Sequence, residues 1–218
     1  MSATETKRRV VSLGLEAGSD AEDTIYLSAI ETVFLETAID LSGFDAVILT
    51  SKRALKAIDR IDPSWKKLKT FTIGAATSKI VCDLGGAVFY QSDEQNADRF
   101  AEKIAQSFGA LRFFYPRARV VSGDLEGILR RSNVFFQSAI LYETRPKAID
   151  LSKIPANAAI VFSSPSVVDS FFSQIIWQEG WAAVAIGKRT AKALERYASY
   201  TISPKADLLS AIDLARSL

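Results

Sequence analysis

The chain has 218 residues, enough for one large domain or two small ones, and a fold of this size buries about 70% of its unfolded surface without a metal or disulfide staple. Its 48% hydrophobic and 24% charged residues exclude disordered, collagen-like and coiled-coil classes. Twenty-seven Lys and Arg against 25 Asp and Glu leave a net charge of +2, a balance that does not by itself favour nucleic acid.

Short apolar runs alternate with helix-period segments. In chain order the pattern predicts a strand over 45–49, a helix over 53–59, a strand over 70–73, helices over 76–84 and 97–108, and a strand over 111–115. A helix over 124–131, a strand over 158–162, a helix over 167–177, a strand over 182–186 and helices over 190–197 and 206–214 follow. Largely apolar runs bounded by Gly, Ser or Pro suit strands buried on both faces, and their alternation with helices implies parallel βαβ units. In the last helix, Leu208, Leu209 and Ile212 lie at helical spacing and predict its buried face.

There is no histidine, so imidazole serves neither as general base nor as metal ligand. The single Cys82 has no disulfide partner within the chain and no zinc partners; it reads as a small residue on a helix face rather than an activated thiolate. The run Val10 to Leu15 is too short for a signal-peptide core, and no apolar run reaches transmembrane length. The expectation is a soluble protein of the reducing cytoplasm.

An internal repeat sharpens this picture. Leu49-Thr50-Ser51 corresponds to Phe162-Ser163-Ser164, and Gly74-Ala-Ala-Thr77 to Gly187-Lys-Arg-Thr190, both at an offset of 113 positions. Two similarly built α/β lobes follow, with ligands expected beyond the carboxyl ends of the strands in a cleft between them. Thr50, Ser51, Ser163 and Ser164 close strands at predicted helix starts; Thr77 and Thr190 follow strand-end glycines. Helix N-termini bind carboxylates and phosphates, while Ser and Thr there also serve as plain N-caps. Both readings stand at this point.

These blocks resemble the uroporphyrinogen-III synthase family over nearly the whole chain: Phe44 to Ser51, Ile73 to Thr77, Tyr142-Glu-Thr144, Phe162 to Ser166 and Ala185 to Thr190. The resemblance implies two α/β lobes with parallel sheets flanked by helices, joined by a two-stranded connector. Residues 1–31 and 147–218 would form one discontinuous lobe, 37–139 the inserted one, and 32–36 with 140–146 the connector. The chain departs from the family in two places. The first strand, over 9–13, is followed by the Gly- and acid-rich segment 14–23 with room for at most a short helix, and Ala118 stands where the family often has glycine.

The resemblance further implies a lyase that closes hydroxymethylbilane into uroporphyrinogen III with inversion of the terminal pyrrole, through azafulvene and spiro intermediates, without a metal or organic cofactor. Tyr142 is the expected proton donor to the departing hydroxyl; its plainer reading is a connector tyrosine packed on Phe34. Ser51, Lys52, Thr77, Arg117, Ser164, Ser166, Lys188 and Thr190 are the expected substrate-binding residues for a ligand bearing eight carboxylates. For Lys52, Arg53, Arg117, Arg119, Lys188 and Arg189 the competing reading is a solvated surface charge, and Lys7, Arg8 and Arg9 read as a solvated N-terminal edge. Trp177 and Trp181 are expected to close a core. The partner is the small-molecule substrate, with no nucleic acid and no membrane. The chain is expected to be a monomer in transient contact with the upstream hydroxymethylbilane synthase. A non-catalytic two-lobed module binding a tetrapyrrole or small anion is the alternative. A solute-binding protein would want an export signal, and a phosphoacceptor an acidic cluster better formed than Asp20, Glu22 and Asp23.

Overall fold

The computed structural model describes residues 8–14, 23–94 and 96–218. Its strands are β1 (Val10–Gly14), β2 (Thr24–Ser28), β3 (Ile30–Phe34), β4 (Ala46–Leu49), β5 (Lys69–Ile73), β6 (Val88–Ser92), β7 (Phe113–Ala118), β8 (Phe136–Pro146), β9 (Ala159–Phe162), β10 (Ala182–Ala185) and β11 (Tyr200–Ile202). Its helices are α1 (Lys52–Ile61), α2 (Ala75–Asp83), α3 (Ala97–Phe108), α4 (Leu125–Arg131), α5 (Pro165–Phe172), α6 (Lys188–Leu194) and α7 (Leu208–Arg216). The chain divides into two compact units, Val33–Glu143 and Met1–Thr32 with Thr144–Leu218.

Within Val33–Glu143 the sheet runs β3-β8-β7-β4-β5-β6, with the β4–β5, β4–β7, β5–β6 and β7–β8 pairs parallel. The four residues of β4 are wholly buried because both faces are covered. Val47 and Leu49 join one core with Leu55, Ile58 and Trp65, and Ala46 and Ile48 join the other with Phe71, Phe100 and Phe113. Trp65 is fully enclosed and spends its indole N–H on Asp59 Oδ1 at 3.0 Å, so a large apolar body is buried with its polar atom paired. Side-chain caps start α1, α3 and α4: Ser51 accepts from Ala54 N, Asn96 from Asp98 N and Arg99 N, and Asp124 from Gly127 N. Pro116 sits inside β7 without breaking the sheet, because the β4 pairing ends at Phe114.

The other unit has the order β11-β10-β9-β1-β2, and every pair in it is parallel. Strand for strand this is the same arrangement as β6-β5-β4-β7-β8, with the chain cut between its third helix and fourth strand. The two sides of that cut stay neighbours: Arg8 Nε donates to Leu218 O at 3.3 Å. Arg8 also donates to Gly180 O, so it is tied down rather than free in solvent; Lys7 and segment 15–22 lie outside the described residues. Phe162, Phe171 and Trp181 fill this unit's larger core, with Trp177 packed against it.

Several expectations shift. The helix predicted over 167–177 stops at Phe172, where the Ser173 N–H turns back to Asp169 O, and Ile175 is buried from an irregular segment instead. The helix over 190–197 ends at Leu194. In α7 the buried face is Ala211, Ile212 and Ala215; Leu209 is 75% exposed and Leu208 partly so. Asp207 accepts from Ser210 N, which starts the helix two residues later than predicted and turns the leucines out. Cys82 does lie on a helix, α2, and is exposed there. Strands β2, β6 and β11 are absent from the sequence reading, and all three lie at sheet edges.

Candidate functional site: a cavity lined by hydroxyls

Numbered from β4 onward, β6-β5-β4-β7-β8 has the strand order 3-2-1-4-5, which places a topological switch between β4 and β7, where neighbouring connections leave in opposite directions and a crevice opens beyond the carboxyl ends. A cavity of about 450 Å³ lies there, lined by residues at or just beyond the ends of β4, β5 and β7, by Ala97 at the start of α3, and by Tyr115 of β7 and Tyr142 of β8. Its polar side chains are Thr50, Ser51, Thr77, Tyr115, Ser122 and Tyr142, and none of the described residues lining it is charged.

Each hydroxyl is set by local backbone. Ser51 is the extended N-cap of α1, its Oγ accepting from Ala54 N at 3.1 Å. Gly74 ends β5 at φ +76, the left-handed region that glycine reaches without strain, and its N–H donates to Ser92 O at 2.8 Å. That turn starts α2 with no side-chain cap, so Thr77, in the third helical position, lines the cavity without serving as the N-cap. Thr190 occupies the same third position of α6 behind Gly187, again without capping. The capping explanation therefore holds for Ser51 and Ser164 and fails for the two threonines.

A bulge aims Tyr142. Arg117 of β7 pairs with Ile140 but Ala118 pairs with Tyr142, so Leu141 is an extra residue and the two-residue alternation breaks. Leu141 and Tyr142 consequently pack into the same core cluster, and the phenol shares a hydrogen bond of 2.8 Å with Ser51 Oγ. Tyr115 comes from the opposite face of the sheet, packed with Ile48, Phe71 and Phe113. Burial pushes its pKa up; the Thr50 hydroxyl acts against that, and the neighbouring Tyr142 and Glu126 reinforce it. Sequence reading took 111–115 as core strand and passed over this residue. The signal available was a hydroxyl-bearing side chain at the end of an otherwise apolar run.

The cations behave differently from the hydroxyls. Arg117 Nε meets Glu126 Oε1 at 2.7 Å without hydrogen-bond alignment, and its Nη1 donates to Ala118 O at 3.0 Å, so this expected substrate ligand is engaged within the protein. Arg119 pairs with Glu143, and its N–H donates to Tyr142 O at 2.9 Å, fastening the segment after β7 to β8. Lys52 is exposed as the first residue of α1. In the other unit Ser164 caps α5, Ser166 and Lys188 are exposed, and Thr190 is buried, all at the starts of α5 and α6 beyond the adjacent strands β9 and β10. No cluster of three or more His, Cys, Asp or Glu able to hold a metal ion occurs among the described residues, and no described helix is long and apolar enough to cross a membrane.

The profile of the family described as uroporphyrinogen-III synthase HemD matches residues 19–212. The chain belongs to that family. It is the family of a cyclising hydro-lyase of porphyrin biosynthesis. A porphyrin biosynthesis protein HemD of Ruminiclostridium josui is 28% identical over 155 residues, covering 66% of this chain and 31% of that protein, so the chain spans about a third of the length of this curated relative. The crystal structure of uroporphyrinogen-III synthetase from Helicobacter pylori 26695 aligns with a TM-score of 0.78 at 22% identity, over 96% of this chain and 99% of that one. A mutant uroporphyrinogen III synthase from the extremely thermophilic bacterium Thermus thermophilus aligns with a TM-score of 0.50 at 12% identity, over 94% and 96%. These likenesses show the fold: two parallel sheets flanked by helices in a two-lobed α/β chain.

Proposed function

We propose that this chain closes hydroxymethylbilane into uroporphyrinogen III and that Tyr142 supplies the proton. The observation carrying the residue assignment is the 2.8 Å contact between Tyr142 and Ser51 at the cavity wall. When the terminal C–O bond breaks, pushed by the pyrrole nitrogen, the phenol hands its proton to the departing hydroxide and water leaves. Ser51 Oγ already accepts from Ala54 N, and its own hydrogen is then available to the phenolate left behind. The azafulvene cation formed has its counter-charge close by, and ring closure through a spiro intermediate needs positioning more than further chemistry.

Thr77 and the first-turn amides of α2 suit a carboxylate of the same substrate. Ser164, Ser166, Lys188 and Thr190 form the corresponding set in the other unit, with Lys52 supplying a solvated positive charge beside the cavity helix. The same reading expects a cytoplasmic monomer that takes its substrate by transient contact with the upstream hydroxymethylbilane synthase.

The deciding assay supplies hydroxymethylbilane and separates isomer III from isomer I, the product of unassisted closure. Isomer III in excess is expected from the purified chain, and isomer I alone from folded protein rejects the reading.

A further inference from the structure

Two consecutive hydroxyl residues after β4 line the cavity together with two tyrosines from opposite faces of one sheet. Ser51 holds Tyr142, and Thr50 lies beside the phenol of Tyr115. We propose that Tyr115 is a second substrate-binding residue of this cavity, a neutral donor for one carboxylate of the substrate. The proposal rests on the function proposed above and adds a binding residue to it.

Three observations support the assignment. Tyr115 is buried as a member of the core cluster that also holds Ile48, Phe71 and Phe113, where phenylalanine would serve as well and would leave no polar atom to desolvate. The cavity's described lining contains no charged side chain, so the polar side chains it offers an acidic ligand are hydroxyls. Arg117, a guanidinium whose charge reaches Tyr115, is engaged by Glu126 and the Ala118 carbonyl. A donor in such a place is useful when it keeps its proton, and burial of Tyr115 makes the phenol harder to ionise than a free one. Each phenol has a hydroxyl beside it, but at Tyr115 burial outweighs the Thr50 hydroxyl, whereas Tyr142 shares a 2.8 Å hydrogen bond with Ser51 Oγ at the cavity wall. The two phenols therefore divide the work: Tyr115 holds a carboxylate and Tyr142 gives up a proton.

Tyr115→Phe in the full chain removes the hydroxyl and keeps the ring. Uroporphyrin III, a stable ligand with eight carboxylates, is titrated against both proteins, and steady-state kinetics are measured with hydroxymethylbilane. Loss of a hydrogen bond to a charged group should weaken uroporphyrin binding and raise KM by roughly tenfold or more, with kcat within about twofold. Unchanged affinity in a variant with wild-type circular dichroism overturns the proposal and returns Tyr115 to the core. A fallen kcat with unchanged affinity also overturns it, because the phenol would then act on the reacting atoms. Should the variant fail to fold, 3-fluorotyrosine at position 115 preserves ring and hydroxyl. Its fluorine resonance is expected to move on uroporphyrin binding, and an unmoved resonance overturns the assignment. The titration needs no turnover, so a chain that binds through Tyr115 yet makes only isomer I separates failure of the catalytic reading from failure of this one.

Discussion

At the scale of single residues, the site is a set of hydroxyls whose partners decide their chemistry. Tyr142→Phe keeps the ring in its core and removes only the donor, so kcat should fall about 10²- to 10⁴-fold while uroporphyrin affinity and Tm stay near wild type. An unchanged kcat, with chemistry limiting, would leave Tyr142 as packing. Ser51 has two duties, capping α1 and backing the phenol. Ser51→Ala should therefore cost about 1 kcal/mol of stability and also lower kcat; stability loss alone would confine Ser51 to the cap. Tyr115 gives a pH signature. Its pKa in the folded chain lies above that of an unfolded tyrosine, near ~10, because burial disfavours the phenolate. Between those two values the unfolded chain binds fewer protons, so stability is complete below ~10 and declines as pH rises through the folded pKa. Tyr115→Phe should flatten that alkaline decline in denaturant-unfolding curves, and an equally steep decline in the variant would contradict the assignment.

Among the elements, the repeat conceals a difference that substitution exposes. Gly74 lies at φ +76 and Gly187 at φ −176. A Cβ at Gly74 meets nothing within 4 Å, so Gly74→Ala should cost the positive-φ backbone strain alone, about 1 to 3 kcal/mol. At Gly187 the added Cβ touches Ala206 at an ordinary 3.6 Å, and the cost should stay within about 0.5 kcal/mol. Equal losses in urea unfolding would show that the two turns are not distinguished by backbone strain. The identical Gly-x-x-Thr spelling hides this, since letters record glycine and not its dihedral angle. Sequence periodicity worked best where burial is complete: Ala46 to Leu49 and Ala159 to Phe162 are apolar because both faces are covered. It missed β6 and β11, edge strands covered incompletely: Phe89 of β6 is 51% exposed and Ile202 of β11 42%. The candidate site was partly legible for the same reason. Hydroxyls at strand ends stand out against apolar runs, whereas the bulge at Leu141 and the Arg117–Glu126 pair arise from register and from residues distant in sequence.

For the whole molecule, one unit is continuous and the other is assembled from both chain ends, with Arg8 and Leu218 in contact where its sequence is cut. Joining Leu218 to Met1 and opening the chain at exposed Ala148 would make the divided unit continuous except for Thr144–Lys147. Because β1 and β9 pair directly although an entire unit intervenes in the chain, the rearranged protein has shorter loops to close. It should keep its circular dichroism and refold faster in stopped-flow measurements; slower refolding would show that the long closure is not limiting. The three tryptophans are also divided between the units. Trp65 is sealed inside one, while Trp177 and Trp181 stand 5.4 Å apart with rings at 78° in the other. Each half thus carries its own fluorophores, and Trp65→Phe silences one half without touching the other. During denaturation a red shift in the remaining emission reports the entry of water into the discontinuous half alone, so the chain is its own two-channel optical record of which half opens first.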